Sequence, residues 1–79
     1  MKSFRLLVEG TDATGVFLVT CIVSAESVES ARKILTHRAA ATDWSISAWE
    51  EDECLGEAPA DAAEIVVESG RAYFENTRT

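Results

Sequence analysis

The chain has little of the chemistry on which cross-links and most enzyme mechanisms depend. Its 79 residues include one His, two Cys and one Pro. Cys21 and Cys54 lie too far apart for a zinc motif or a CxxC pair, so we expect reduced thiols, which would form a disulfide only in an oxidising compartment. His37 is the single histidine, and neither cysteine has an activating neighbour in sequence, so we expect no catalytic residue.

Long apolar runs are also absent. The longest, residues 16–23, is interrupted by Thr20 and is far shorter than the roughly 20 residues with which a helix crosses a bilayer. Arg5 and Glu9 divide the first residues into stretches too short for a signal peptide. These absences predict a chain that makes no membrane contact and has a cytoplasmic location.

Motifs for cofactors and metals are missing as well. Gly10 and Gly15 form neither a dinucleotide-binding fingerprint nor a Walker loop, and they are better explained as turn residues. The run Glu50-Glu51-Asp52-Glu53 lacks the spacing of an EF-hand loop. On a strand, only two of its four carboxylates would share a face. We therefore expect no cofactor and no metal ion.

Basic residues are absent from residues 50–70, and this absence sets the charge of the whole chain. That segment carries eight carboxylates, while residues 1–49 balance at five acids and five bases, and the chain has a net charge of −7. The eight are Glu50, Glu51, Asp52, Glu53, Glu57, Asp61, Glu64 and Glu68. Such a field repels nucleic acid and anionic membranes and attracts basic surfaces, so we expect no nucleic-acid partner.

Two strands and a turn are predicted at the start of the chain. Phe4, Leu6 and Val8 alternate with polar residues, which indicates a strand with one buried face. Residues 16–23 are apolar on both faces, as in a central strand. The turn residues 10–15 are too few for a crossover, so they join the two strands into an antiparallel hairpin.

A helix is predicted over residues 25–40. Ser24 offers an N-cap oxygen, apolar residues follow at helical spacing, and Thr42-Asp43 is the expected exit. A third strand then starts at Trp44 and continues, in the longer alternative, through the acidic run to Leu55. Because the helix is a crossover, strands two and three should run parallel.

The two tryptophans are expected on opposite faces of that third strand. Trp44 and Trp49 lie five positions apart, and side chains alternate along a strand. One tryptophan is therefore expected in the core. The other is expected to be a surface aromatic or an interface anchor, a role in which tryptophan is common.

Residues 56–70 fit two structures. Proline near the start and glycine near the end favour a helix. The alternative is a hairpin in which residues 65–67 and 71–74 flank a two-residue turn. We favour the helix, and a short strand over residues 72–75 is expected in either structure.

Together these elements predict one α+β domain over residues 1–79. Its architecture is a two-layer sandwich with the order ββαβ(α)β and a mostly antiparallel sheet. At the level of the fold it resembles a variant of the ferredoxin-like plait, with an extra first strand and a shortened end. No motif carries this resemblance, so it implies nothing about chemistry.

Two functions are compatible with this outline. The first is a small acidic protein–protein interaction module, an adaptor or an inhibitor or immunity-type protein, that covers a basic partner. Its expected binding residues are Glu50, Glu51, Asp52, Glu53, Glu57 and Trp49. The alternative is a small-molecule-binding or enzymatic ferredoxin-like dimer with a pocket between subunits. Because the core of so short a chain contributes only about 3–5 kcal/mol, we expect a homo-oligomer in both cases.

Overall fold

The computed structural model describes residues 1–59 and 65–74, and it describes the backbone alone for residues 65–67. In this part of the chain, five strands and one helix follow one another. They are β1 (Lys2–Thr11), β2 (Val16–Ala25), α1 (Val28–Ala41), β3 (Ser45–Glu57), β4 (Ile65–Glu68) and β5 (Ala72–Tyr73).

All strand pairs in the sheet are antiparallel. The order is β3-β1-β2-β4, and β5 also pairs with β2. β1 lies between β2 and β3, so these two strands run parallel to each other without being neighbours, as the crossover helix requires. The α+β class and the antiparallel sheet are therefore confirmed, while the ferredoxin-like arrangement stays a prediction.

One face of the sheet and α1 enclose the core. Alternate residues of β1 and β2, among them Leu6, Val8 and Phe17, are fully buried beneath Ala31 and Leu35 of the helix. The residues between them, such as Leu7 and Leu18, are only half buried because they point to the other side of the sheet, which α1 does not cover. We call this other side the open face.

The helix begins three residues later than the sequence indicates. Ser24 pairs with Ser3 in the sheet and is buried, so it is not the N-cap. Ser27 caps the helix instead, and its Oγ accepts the backbone N–H of Ser30 at 3.2 Å. At the other end the predicted exit is confirmed, since Thr42 is the C-cap and Asp43 has a φ of 67°.

β3 contains bulges that change the face on which a tryptophan lies. Three register shifts against β1 leave Ser47, Glu50 and Leu55 without a partner on that strand. Each extra residue interrupts the alternation of faces. As a result, Trp44 and Trp49 both contact the core on the helix side, and the prediction that they lie on opposite faces is wrong.

The favoured helix over residues 56–70 is also wrong wherever the structure describes it. Glu57 ends β3, and residues 65–68 form β4. The two strands of the hairpin alternative are present at residues 65–68 and 72–73, the second within the strand expected over 72–75. They do not form a hairpin, because β4 and β5 both pair with β2 and run in the same direction along its edge. Ser69 bridges them, donating its N–H to the Thr20 carbonyl at 2.8 Å. Residues 60–64 lie outside the described residues.

Gly10 is the point at which the sheet and the aromatic part of the core come closest. A Cβ at this position would lie 2.7 Å from the Trp44 ring and 2.8 Å from the Phe17 ring. These two rings pack on each other with centroids 5.3 Å apart. A methyl group at position 10 would therefore overlap both rings and force them to move.

We predict that Gly10→Ala destabilises the fold by about 1–3 kcal/mol, the usual cost of overpacking a core. Gly70→Ala is the matched control, because a Cβ there meets nothing within 4 Å. The free energy of unfolding of this control should stay within about 0.5 kcal/mol of the wild-type value. Urea unfolding followed by tryptophan fluorescence measures both. Equal effects of the two substitutions would show that the close approach at Gly10 is not a constraint.

Candidate interaction surface

The acidic run lies on an edge of the sheet. β3 is the last strand in the order of the described strands, and every residue from Glu50 to Glu57 is exposed. Five of these residues are carboxylates, and we call them the acidic edge. They are Glu50, Glu51, Asp52, Glu53 and Glu57.

Pairing with β1 divides these carboxylates between the two faces. Glu51 and Glu53 lie opposite Leu7 and Arg5, so they border the open face. Asp52 lies opposite buried Leu6 and therefore points to the helix side. The acidic edge thus presents negative charge along both sides of one strand.

Two arginines neutralise part of this charge. Arg5 forms an ion pair with Glu53 across the open face, and Arg32 of α1 pairs with Asp52 at 2.5 Å. All four side chains are about 40–50% exposed, so water screens both pairs and each contributes little to stability. Within the described part of the chain, Glu50, Glu51 and Glu57 have no such partner.

The open face forms a shallow depression beside the acidic edge. It encloses about 560 Å³ and is lined by Arg5, Leu7, Thr20, Glu51, Asp52 and Glu53. Its lining includes one apolar side chain, Leu7, and three carboxylates. This shape suits a side chain with an apolar stem and a positive end.

Trp49 lies on the helix side of β3, whereas Glu51 and Glu53, with which we expected it to share a surface, border the open face. It is half buried against the core on the helix side, and the Arg32 guanidinium lies over its ring at 5.3 Å from the centroid. Arg32 therefore contacts both Trp49 and Asp52. Trp49 therefore adjoins Asp52 on the helix side, away from Glu51 and Glu53, which border the open face.

The remaining acidic residues do not extend the acidic edge. Glu68 lies on β4, which β1 and β2 separate from β3, so it belongs to the opposite side of the sheet. Asp61 and Glu64 lie outside the described residues. Among the residues described, no group of three or more His, Cys, Asp or Glu is placed to hold a metal ion.

The two cysteines are in different environments. Cys54 is exposed on β3, whereas Cys21 is fully buried on β2. Burial raises the pKa of the Cys21 thiol to about 12, and the nearby Glu68 carboxylate adds to the shift. The Cys21 thiol therefore stays protonated at neutral pH, which makes it a poor nucleophile.

A cluster around Asp12 ties the first turn to the last strand, and sequence analysis missed it. One carboxylate oxygen of Asp12 accepts the backbone N–H groups of Thr14 and Gly15 at 2.8 and 3.1 Å. The other accepts hydrogen bonds from Arg71 and Tyr73. An aspartate within a glycine-bounded turn was the available signal, but nothing in the sequence identified its distant partners.

Arg71 completes this cluster through the aromatic core. Its guanidinium lies 4.6 Å from the Phe17 ring centroid and 5.4 Å from that of Trp44. The cluster holds β5 against the edge of β2, where only two residues, Ala72 and Tyr73, form ladder pairs. We therefore assign it a structural role.

The hydrogen bonds lower the pKa of Asp12 below its ordinary value. The Tyr73 hydroxyl is the largest cause, the Gly15 and Thr14 amides and the Arg71 guanidinium act in the same direction, and partial desolvation opposes them. A depressed carboxyl pKa adds stability that is complete above the unfolded-state pKa and is lost as the pH falls through the folded-state pKa.

No family model matches the chain, and neither a curated protein nor a solved structure matches it. No helix among the described residues is long and apolar enough to span a membrane.

We predict that Asp12→Asn lowers the stability at neutral pH, because the amide keeps the turn acceptor but loses the charge that pairs with Arg71. The difference from the wild type should shrink as the pH falls below about 4, where the wild-type carboxyl also becomes neutral. The urea unfolding midpoints of the variant and the wild type, at neutral and at acidic pH, measure this difference in stability. Asp43→Asn is the control, as an exposed residue whose positive φ asparagine also tolerates. A difference independent of pH would contradict the assignment.

Proposed function

We propose that this chain is a non-enzymatic protein–protein interaction module whose acidic edge binds a basic partner. One observation carries the proposal. Five carboxylates are exposed along a single edge strand, and the described part of the chain pairs only Asp52 and Glu53 with a cation. The remaining charge is available to a partner.

The position of the acidic edge supports recognition over a purely protective role. Charged residues and bulges on an edge strand prevent the strand from pairing with other chains. Here the carboxylates continue along one strand and border an uncovered sheet face with a concave surface. Charge of one sign beside a concave surface steers an oppositely charged protein and raises its association rate.

The class of partner follows from this arrangement. A basic protein surface with Lys or Arg at its centre would place aliphatic stems on the open face and positive ends against Glu51 and Glu53. An inhibitor or immunity-type protein that covers the substrate site of a basic enzyme is one concrete form, and an adaptor is another. A cytoplasmic location and the ferredoxin-like arrangement also belong to the proposal.

The proposal includes self-association through the open face. Leu18 and Ile22 of β2 are half buried on the part of this face away from β3, and Val16 and Phe74 are 38% and 52% exposed. A second copy packed on the middle of this face would bury apolar surface that one helix cannot reach. For a chain of 79 residues that gain is a substantial addition to a small core.

We predict that reversing two charges of the acidic edge abolishes capture of the partner. The wild type, Glu51→Lys/Glu53→Lys and the control Glu26→Lys/Glu68→Lys are each used as bait in native lysate, with retained proteins identified by mass spectrometry. Both variants change the net charge equally, and the control residues are exposed and lie off β3. A basic protein should be retained by the wild type and the control only.

Purified partner then gives the association rate as a function of salt. Electrostatic steering predicts an association rate constant above about 10⁶ M⁻¹s⁻¹ at low ionic strength and a clear decrease of that constant at high salt. A partner that binds the double reversal as well as it binds the wild type would contradict the proposal. So would binding that does not respond to salt.

We predict that the wild type sediments as an oligomer at micromolar concentration and that Leu18→Glu shifts it to the 8.6 kDa monomer. A buried charge at the centre of an apolar interface costs more than the contact provides. Ala13→Glu, in the exposed turn before β2, adds the same charge elsewhere and should leave the oligomer intact. A wild type that sediments only as a monomer would contradict self-association.

A further inference from the structure

A groove between α1 and β3 is lined by basic side chains, in contrast to the acidic edge. It encloses about 560 Å³ and is lined by Arg32, Lys33, Thr36, His37, Ala40 and Trp49. Three of these residues are basic and none is a carboxylate. Two other concave surfaces among the described residues each contain at least two acids.

The charge contrast is informative because the chain as a whole is acidic. In a protein of net charge −7, a small cation or a basic side chain has better places to bind than this groove. The two other concave surfaces are lined by carboxylates, so a small anion would meet less repulsion in this groove. Charge complementarity therefore selects an anionic occupant for the groove.

The lining also indicates what the rest of the ligand should be. Half-buried Trp49 and the Ala40 methyl group offer apolar contact, and the stem of Lys33 adds to it. Arg32 is held in place by the Asp52 carboxylate and lies over the indole ring. Asp52 contacts only one terminal nitrogen of Arg32, so the guanidinium has further donors for a second acceptor.

Lys33 supplies the cation that is least engaged. It is exposed at the rim of the groove, and no carboxylate in the described part of the chain lies within ion-pair distance of its ammonium group. Because the Arg32 guanidinium already lies over the Trp49 ring, a flat ligand ring would contact the exposed edge of the indole, with its carboxylate toward Lys33. Such contacts with ionised groups are the stronger class of hydrogen bond.

We propose that the α1–β3 groove binds a small aromatic carboxylate, with Trp49 and Ala40 contacting the ring and Lys33 and Arg32 contacting the carboxylate. The site adjoins the acidic edge at the Arg32–Asp52 ion pair, but it does not depend on the proposed protein partner. It corresponds to a ligand-binding role for the helix side of the molecule.

The experiment uses the whole chain and 2-naphthoate as the probe, followed by two-dimensional NMR of the labelled protein. The chain has two tryptophans, so each indole N–H gives one signal. The Trp49 signal should shift saturably, with a dissociation constant of about 1 mM or tighter for a ligand of this size. Trp44 is only 4% exposed and does not line the groove, so its signal should stay in place.

Two comparisons test the charge. The neutral analogue 2-naphthylmethanol should bind up to about fivefold more weakly than 2-naphthoate, since an exposed ion pair contributes up to about that factor. Binding of 2-naphthoate to Lys33→Glu should weaken by about the same factor. Lys2→Glu is the matched control, because it changes the net charge equally at the start of β1. It should bind like the wild type.

Several results would overturn the proposal. They are the absence of saturable shifts at Trp49, equal weakening by Lys2→Glu and Lys33→Glu, and shifts that map to another surface. A groove occupied by a second copy would also overturn it. In that case the Trp49 signal would move with protein concentration and not with 2-naphthoate.

Discussion

Pairing of β1 on both of its edges is the constraint on which the rest of the structure depends. β1 forms a ten-residue ladder with β2 and another with β3. Its inward residues supply much of the core, and its central position leaves β3 at one edge. Among the described strands, β3 pairs only with β1. Its other edge, which carries the acidic run, is therefore exposed. The exposure of the acidic edge and its position in the sheet thus both follow from the pairing of β3 with β1.

The elements that depend on local sequence were predictable, and those that depend on register were not. The hairpin follows from alternation and a glycine-bounded turn, and the helix from its apolar spacing and its exit at Thr42-Asp43, although not from its N-cap. The bulges of β3 arise where its residues must fit β1, so the faces of Trp44 and Trp49 could not be read from the spacing of five. Residues 65–68 form a strand because the edge of β2 offers hydrogen bonds, which outweighs their helical pattern.

The acidic edge was predictable as a composition but not as a surface. The residue numbers of Glu50–Glu57 were available at once, yet their division between faces required the register with β1. Glu68 appeared to belong to the same segment, and the sheet places it at the opposite edge. Long-range contacts such as Asp12 with Arg71, 59 residues apart, have no local signal. The charge of this molecule is therefore organised in space by the sheet rather than along the chain.

Carboxyl footprinting of the complex tests the central claim most directly. A carbodiimide with a labelled amine modifies exposed carboxylates, and mass spectrometry compares their labelling in the free chain and in the complex with the captured partner. The account predicts that labelling falls at Glu50, Glu51 and Glu57 and is unchanged at Glu26 and Glu68. Protection confined to Glu26 or Glu68, or none at β3, would contradict recognition through the acidic edge.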